Sequence, residues 1–299
     1  MCDRDSDWRL VLDCRGRMAR KLVVLSLLAV LVAGNGYWEY EEKKSALEKN
    51  EWPGMKLKRM WMNRGRFEIF TQTLPDNFDW RKQKVVTDVK EQGNLDVSDV
   101  FAVVGAIESC WAIRTGNLVT LSEQQLVDCG KKDAGMNVRD VMESVSTLGG
   151  LELNSSYPYV ARRQPCKLNK TQISVGIEGH LKMHNEEAMA RYLMAKGPLV
   201  VGFNGKDSLP SYKSGIINLN ATQCSPANLS HSAVVVGFGI EAKTPFWILK
   251  NSRGAKWGEN GYFRIARGLN TCGVATSVYS PFFDVDIGGP NVMRVMETL

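Results

Sequence analysis

The stretch from Asp96 to Gly116 sets the firmest limit on what this chain can fold into. Val100, Phe101, Val103, Val104, Ile107, Trp111 and Ile113 recur at helical spacing. Asp96, Ser98 and Asp99 favour a helix start before them, and Gly116 favours the end. Further helices are predicted over Leu121–Val127 and Val138–Val145. Beyond Gly197-Pro198 the pattern changes. Leu199–Phe203, Ser232–Phe238, Phe246–Lys250 and Tyr262–Ala266 are short apolar runs separated by glycine-rich turns, which predicts strands. A helical half followed by a strand half reads as an α+β fold, with two lobes and a cleft between them.

The first 73 residues have a different character. Arg15, Arg17, Arg20 and Lys21 precede the apolar run Leu22–Val32, and the small residues Ala33 and Gly34 follow it. Eleven apolar residues are too few to span a bilayer, but they suit the core of a secretory signal, with Met18 as an alternative start. A polar, helix-prone stretch over Tyr37–Asn50 is broken by Pro53-Gly54, and a basic run covers Lys56–Arg66. The expected organisation is a leader and signal over 1–33, a connecting segment over 34–73, a folded domain over 74–283 and a tail over 284–299. Sequons at Asn154, Asn169, Asn220 and Asn228 fit a secreted or lysosomal destination. Of the net charge of +6, +4 lies in residues 1–73 and only +2 in the remainder. No basic stripe therefore argues for nucleic acid, and no stable membrane anchor is expected. Cys110, His180 and His184 lack the ligand spacing of a zinc site, so neither a metal nor a cofactor is expected.

Four ordered blocks carry a more specific message. They are Phe78-Asp79-Trp80-Arg81, Val89-Lys90-Glu91-Gln92-Gly93, and Leu121 through Cys129. The last joins Ser230-His231, Val234 through Gly239, Lys250-Asn251-Ser252 and Trp257 through Tyr262. Together these resemble the papain-like cysteine peptidases of cathepsin type, nearest the cathepsin F and cathepsin O branches, over about residues 74–283. The resemblance implies a two-lobed fold, with a helical N-terminal lobe over about 81–181 and an antiparallel β-barrel C-terminal lobe beyond it. It makes residues 34–73 a shortened prosegment.

In this family a histidine and an asparagine follow the nucleophile by about 130–150 residues. His231 lies 133 residues after Ser98 and Asn251 lies 153 after it, which sets Ser98 at the position of the catalytic cysteine. Ser109-Cys110-Trp111-Ala112 imitates the family's nucleophile motif, but twelve residues along a helix is ~18 Å from Ser98. Cys110 is therefore expected to be a reduced core residue. The resemblance gives Gln92 the role of oxyanion donor, His231 that of base and Asn251 that of ring orienter. Ser98 cannot form the resting thiolate–imidazolium pair, and it also suits a helix N-cap.

The surroundings depart from the family pattern as well. Asp96 and Asp99 replace a glycine and a tryptophan, and Gly135-Met136-Asn137-Val138-Arg139 replaces a glycine-rich wall. Arg253 replaces a tryptophan over the asparagine–histidine contact, and Leu95 and Met136 stand where the family has a disulfide. The two other family pairs imply Cys129–Cys166 and Cys224–Cys272. The expected function is that of an inactive peptidase homologue. It would act by binding a peptide or protein in the cleft, for instance a peptidase inhibitor or an active relative. The alternative is a weakly active endopeptidase using Ser98 with His231.

Overall fold

A computed structural model describes residues 39–41, 73–131 and 137–283. The leader, most of the prosegment, Gly135, Met136 and the tail lie outside the described residues. Strand β1 (Glu39–Glu41) and strand β2 (Phe78–Asp79) precede the long helix α1 (Ser98–Thr115). Helices α2 (Glu123–Cys129) and α3 (Val138–Leu148) follow. Strand β3 (Gly179–Met183), helix α4 (Glu186–Lys196) and strand β4 (Leu199–Phe203) lead into the hairpin of β5 (His231–Glu241) and β6 (Thr244–Lys250). Strands β7 (Tyr262–Ala266) and β8 (Ser277–Phe282) complete the fold.

Local chemistry fixes most helix ends. Ser122 and Asn137 accept hydrogen bonds from the amides of Gln125 and Asp140, capping α2 and α3. Gly116 and Gly149 end α1 and α3 in the left-handed region, where a Cβ is disfavoured. Helix α1 departs from expectation at its start. Its N-cap is Val97, which offers no side-chain cap, so Ser98 is the first helical residue and not the cap. Helix α4 was not evident from apolar spacing. It is started by Asn185, which accepts from the Ala188 amide at 2.7 Å, and by Glu186 and Glu187 in its first turn. Within the stretch expected to be helical, residues 39–41 instead pair antiparallel with β3, Tyr40 opposite Leu181.

The main sheet runs β1-β3-β8-β4-β5-β6-β7 and ends on Ile216–Ile217, with β2 paired to β5 off this path. Strand alternation divides its side chains between two cores. Leu199, Val201, Ala233, Val235, Trp247 and Leu249 point into one cluster with Phe203, Phe238 and Phe263. Val200, Val234, Val236, Phe246 and Ile248 point to the other, against Val103, Val104 and Ile107 of α1. Gly105 lets α1 approach the sheet closely, since a Cβ there would sit 3.3 Å from Val234. The bonds Cys129–Cys166 and Cys224–Cys272 form, and Cys110 is a buried free thiol packed in α1. Among the described residues no helix is long and apolar enough to cross a membrane.

Candidate functional site

The start of α1, the start of β5 and the loop after β6 meet at one place. His231 opens β5, is only 9% exposed, and lies edge-on to the Phe203 ring at 5.7 Å. Its Nε2 is 2.8 Å from Asn251 Oδ1, which also accepts the Ser252 amide at 2.9 Å. An oxygen already accepting from an amide fixes the Asn251 orientation, so the imidazole donates through Nε2. Neutral His231 then carries its lone pair on Nδ1. Asn251 Nδ2 is buried without a hydrogen-bond partner among the described residues. Burial pushes the His231 pKa down, the Asn251 bond opposes this, Arg253 lowers it further and Asp96 raises it. The ring is therefore neutral at neutral pH.

Gln92 is held from both ends of its amide. Nε2 donates to the Leu95 carbonyl at 2.6 Å, and Oε1 accepts from Ser252 Oγ at 2.5 Å. Its backbone bonds the Ser252 carbonyl at 2.9 Å, which ties this loop to the segment carrying Asn251. One Nε2 hydrogen remains for a ligand.

Ser98 is brought to the same neighbourhood, and its oxygen is bonded to the backbone of β5 rather than to the imidazole. Ser98 is 3% exposed, and its Oγ accepts the Ser232 amide at 3.1 Å. Among the described residues no hydrogen bond joins Ser98 to His231. The next residue, Asp99, accepts from Ser232 Oγ. A single residue of β5 therefore engages both Ser98 and Asp99, a link absent from the sequence reading. Asp99 is thus turned into the α1–β5 contact, and of the two carboxylates only Asp96 lines the cleft.

The Asp99 carboxyl is pushed up to about 6, chiefly by burial, against the Ser232 bond and with help from Asp96 and Asp140. The folded state therefore binds this proton more tightly than the unfolded chain. Stability is present below the unfolded carboxylate range and is lost as pH rises through about 6. Asp99→Asn keeps an oxygen acceptor and removes the titration. Its thermal midpoint is expected to match the wild type near pH 4. At pH 7.5 it should exceed the wild type by several degrees, for a difference of up to about 3 kcal/mol. Melting curves across this range that stay parallel would refute the assignment.

The cleft itself has a volume of about 710 Å³. Glu91 through Asp96 form one wall, and Gly205, Lys206, Pro210, Ser230, His231, Ser252 and Arg253 form the rest. Arg253 lies 6.0 Å over the Trp257 ring. A second polar cluster, invisible as a motif, sits behind the site. Glu108 is fully buried and accepts from Lys90 Nζ at 2.6 Å, Thr87 Oγ1 at 2.6 Å and the Leu121 amide at 2.7 Å. Lys250, directly before Asn251, donates to Thr87 Oγ1 at 2.9 Å, and burial pushes its pKa down to about 8. Among the described residues no three His, Cys, Asp or Glu side chains are placed to hold a metal ion.

Comparison with known proteins gives a consistent result. The family model described as papain family cysteine protease matches residues 74–282. Cathepsin F of Drosophila melanogaster is 40% identical over 213 residues, covering 68% of this chain and 34% of that protein. A viral cathepsin of Spodoptera litura multicapsid nucleopolyhedrovirus is 40% identical over 205 residues, 67% of this chain and 59% of its own length. The chain thus spans about a third of the fly relative and under two thirds of the viral one. Among solved structures, digestive procathepsin L2 proteinase from Tenebrio molitor larval midgut superposes with a TM-score of 0.68 at 34% identity, covering 71% and 70% of the two chains. Bromelain from Ananas comosus, in complex with the E64 inhibitor, gives 0.64 at 33% identity and covers 71% of this chain and 100% of that one.

Proposed function

This chain belongs to the papain family of cysteine proteases, and from that premise we propose that it binds polypeptide in its cleft without cleaving it. The observation that carries this reading is that buried Ser98 makes no hydrogen bond to His231 among the described residues, its Oγ accepting the Ser232 amide instead. A serine nucleophile must pass its proton to a base within about 2.6–3.2 Å. Here no such hydrogen bond joins the buried Ser98 hydroxyl to His231 among the described residues, although Asn251 leaves the His231 lone pair on Nδ1. The chemistry of the two nucleophiles separates as well. A thiolate can rest paired with imidazolium, whereas a hydroxyl needs a base poised at the moment of attack. Arg253 and burial both disfavour the imidazolium that such an attack would create.

The alternative, slow endopeptidase action by Ser98 with His231, is favoured by the retained His231–Asn251 bond. Hydrolysis of a fluorogenic peptide by the purified wild type and by Ser98→Ala separates the two. Equal background rates are expected, with peptide affinity unchanged. A wild-type rate that Ser98→Ala abolishes sinks the binding reading. The ligands that fit a peptidase cleft without turnover are peptidase inhibitors and segments of active relatives. A secretory-pathway location is supported by the Leu22–Val32 signal core and by two disulfides, which persist in oxidising compartments.

A further inference from the structure

We propose that residues 162–170 form a docking surface for an acidic stretch of polypeptide, continuous with the rim of the cleft. Arg162, Arg163, Lys167 and Lys170 are all exposed. No Asp or Glu occurs anywhere from Leu153 to Ile177. Among the described residues none of the four cations is ion-paired. The buried Asp128 and Glu152 carboxylates lie beneath the segment, but the four exposed cations form no ion pair, and they attract anions to this surface, an effect that salt screens.

The segment is also held in one shape. The Arg162 carbonyl accepts from Gln124 Nε2 at 2.8 Å, and the Gln164 amide donates to Asp128 Oδ1 at 2.6 Å. The Lys167 amide donates to the Tyr157 hydroxyl at 3.1 Å and the Asn169 amide to Glu152 Oε1 at 3.0 Å. Cys166 is bonded to Cys129. Glu152, Gln124 and Asp128 are buried, so folding itself fixes the backbone that carries the charges. Little ordering then remains to oppose binding.

Position decides the partner. Tyr159 donates to the Gln92 carbonyl at 2.8 Å, and a Cβ on Gly93 would lie 3.7 Å from Ala161 Cβ. Gln92 and Gly93 line the cleft, so Ala161, the neighbour of Arg162, borders it, and the exposed Arg162 and Arg163 follow directly in the chain. The segment 160–172 has no aromatic residue, and so lacks the anchors of an apolar protein interface. What it offers is a row of charge up to ~28 Å long, the reach of about eight extended residues. This inference rests on the reading that the cleft binds polypeptide, and it adds that the bound chain is acidic beside the cleft-bound part.

The test uses the purified full chain and a fluorescein-labelled decaglutamate peptide. Binding is expected at 50 mM salt, to weaken about tenfold or more at 200 mM salt, and to weaken similarly in R162S/R163S/K167S. The three side chains are exposed, and an unchanged melting curve shows that the variant folds. Undiminished binding by the variant overturns the proposal, as does tighter binding of a heparin fragment or single-stranded DNA than of decaglutamate. A second probe joins decaglutamate to a neutral eight-residue peptide. A gain in affinity over decaglutamate supports simultaneous engagement of cleft and surface. Absence of that gain, with decaglutamate still lost in the variant, overturns the continuity with the cleft while leaving the charged surface in place.

Discussion

Glu108→Ala is expected to lower the free energy of unfolding by about 3–5 kcal/mol, the range found when one partner of a buried ion pair is removed. Glu108 is 0% exposed and its two oxygens take three donors, from Lys90, Thr87 and the Leu121 backbone. Without the carboxylate, Lys90 keeps Glu123, at 2.5 Å, and a longer contact to the Leu121 carbonyl at 3.5 Å, and the Leu121 amide loses a buried acceptor. The damage reaches Lys250 too. Burial holds its pKa low, and Glu108 is the largest of the charges that offset this, so Lys250 is driven further toward its neutral form. Because Lys250 precedes Asn251, the same loss should loosen the Asn251–His231 contact. Denaturant titration of the wild type, Glu108→Ala and Glu108→Gln measures the effect, with Gln expected between the other two because it keeps the shape. A loss under 1 kcal/mol for the alanine variant would show that the cluster contributes little to stability.

Ser98→Cys is expected to be labelled by a thiol-directed epoxide yet to leave peptide turnover at background. The thiol would gain a histidine already oriented by Asn251. It would not gain the rest of the site. Asp96 lines the cleft and opposes a developing oxyanion, and close charges interact by about 4 kcal/mol at 4 Å with an effective dielectric of 20. Gln92 commits one of its two donor hydrogens to Leu95. Arg253 lowers the proton affinity of His231, which works against the imidazolium a resting thiolate requires. General-base contributions are on the order of 10²–10⁴ in rate and a single oxyanion donor on the order of 10²–10³, so partial defects multiply. Asp99 drops out of this list, because its carboxylate is taken up by Ser232. Mass spectrometry of the labelled protein, alongside a fluorogenic peptide assay, gives the answer. Family-level turnover from this single substitution would leave Ser98 as an isolated lesion and remove the case for wider decay.

Elements whose signals are local can be read along the chain. Apolar recurrence and Gly116 announced α1, and Ser122 and Asn137 stand where caps are needed for α2 and α3. The apolar runs of β4, β6 and β7 lay close to where they were expected. The resemblance supplied both disulfide pairs and brought His231 and Asn251, twenty residues apart, into one hydrogen bond. Where the short polar side chains point is fixed by long-range packing. Ser98 could have capped α1, which needs a non-helical backbone at Ser98, or could have faced His231 or turned inward, which differ by a rotation about one side-chain bond. The choice falls to the amide of Ser232, 134 residues away, which the local pattern around Ser98 does not contain. The same holds for Asp99, for the Glu108 cluster, and for residues 39–41, which form a strand against β3 in place of the expected helix. Periodicity and capping act over a few residues and can be read along the chain. Hydrogen-bond choice in a buried site depends on which distant groups folding brings within about 3 Å, and those partners are settled only when the sheet and α1 pack.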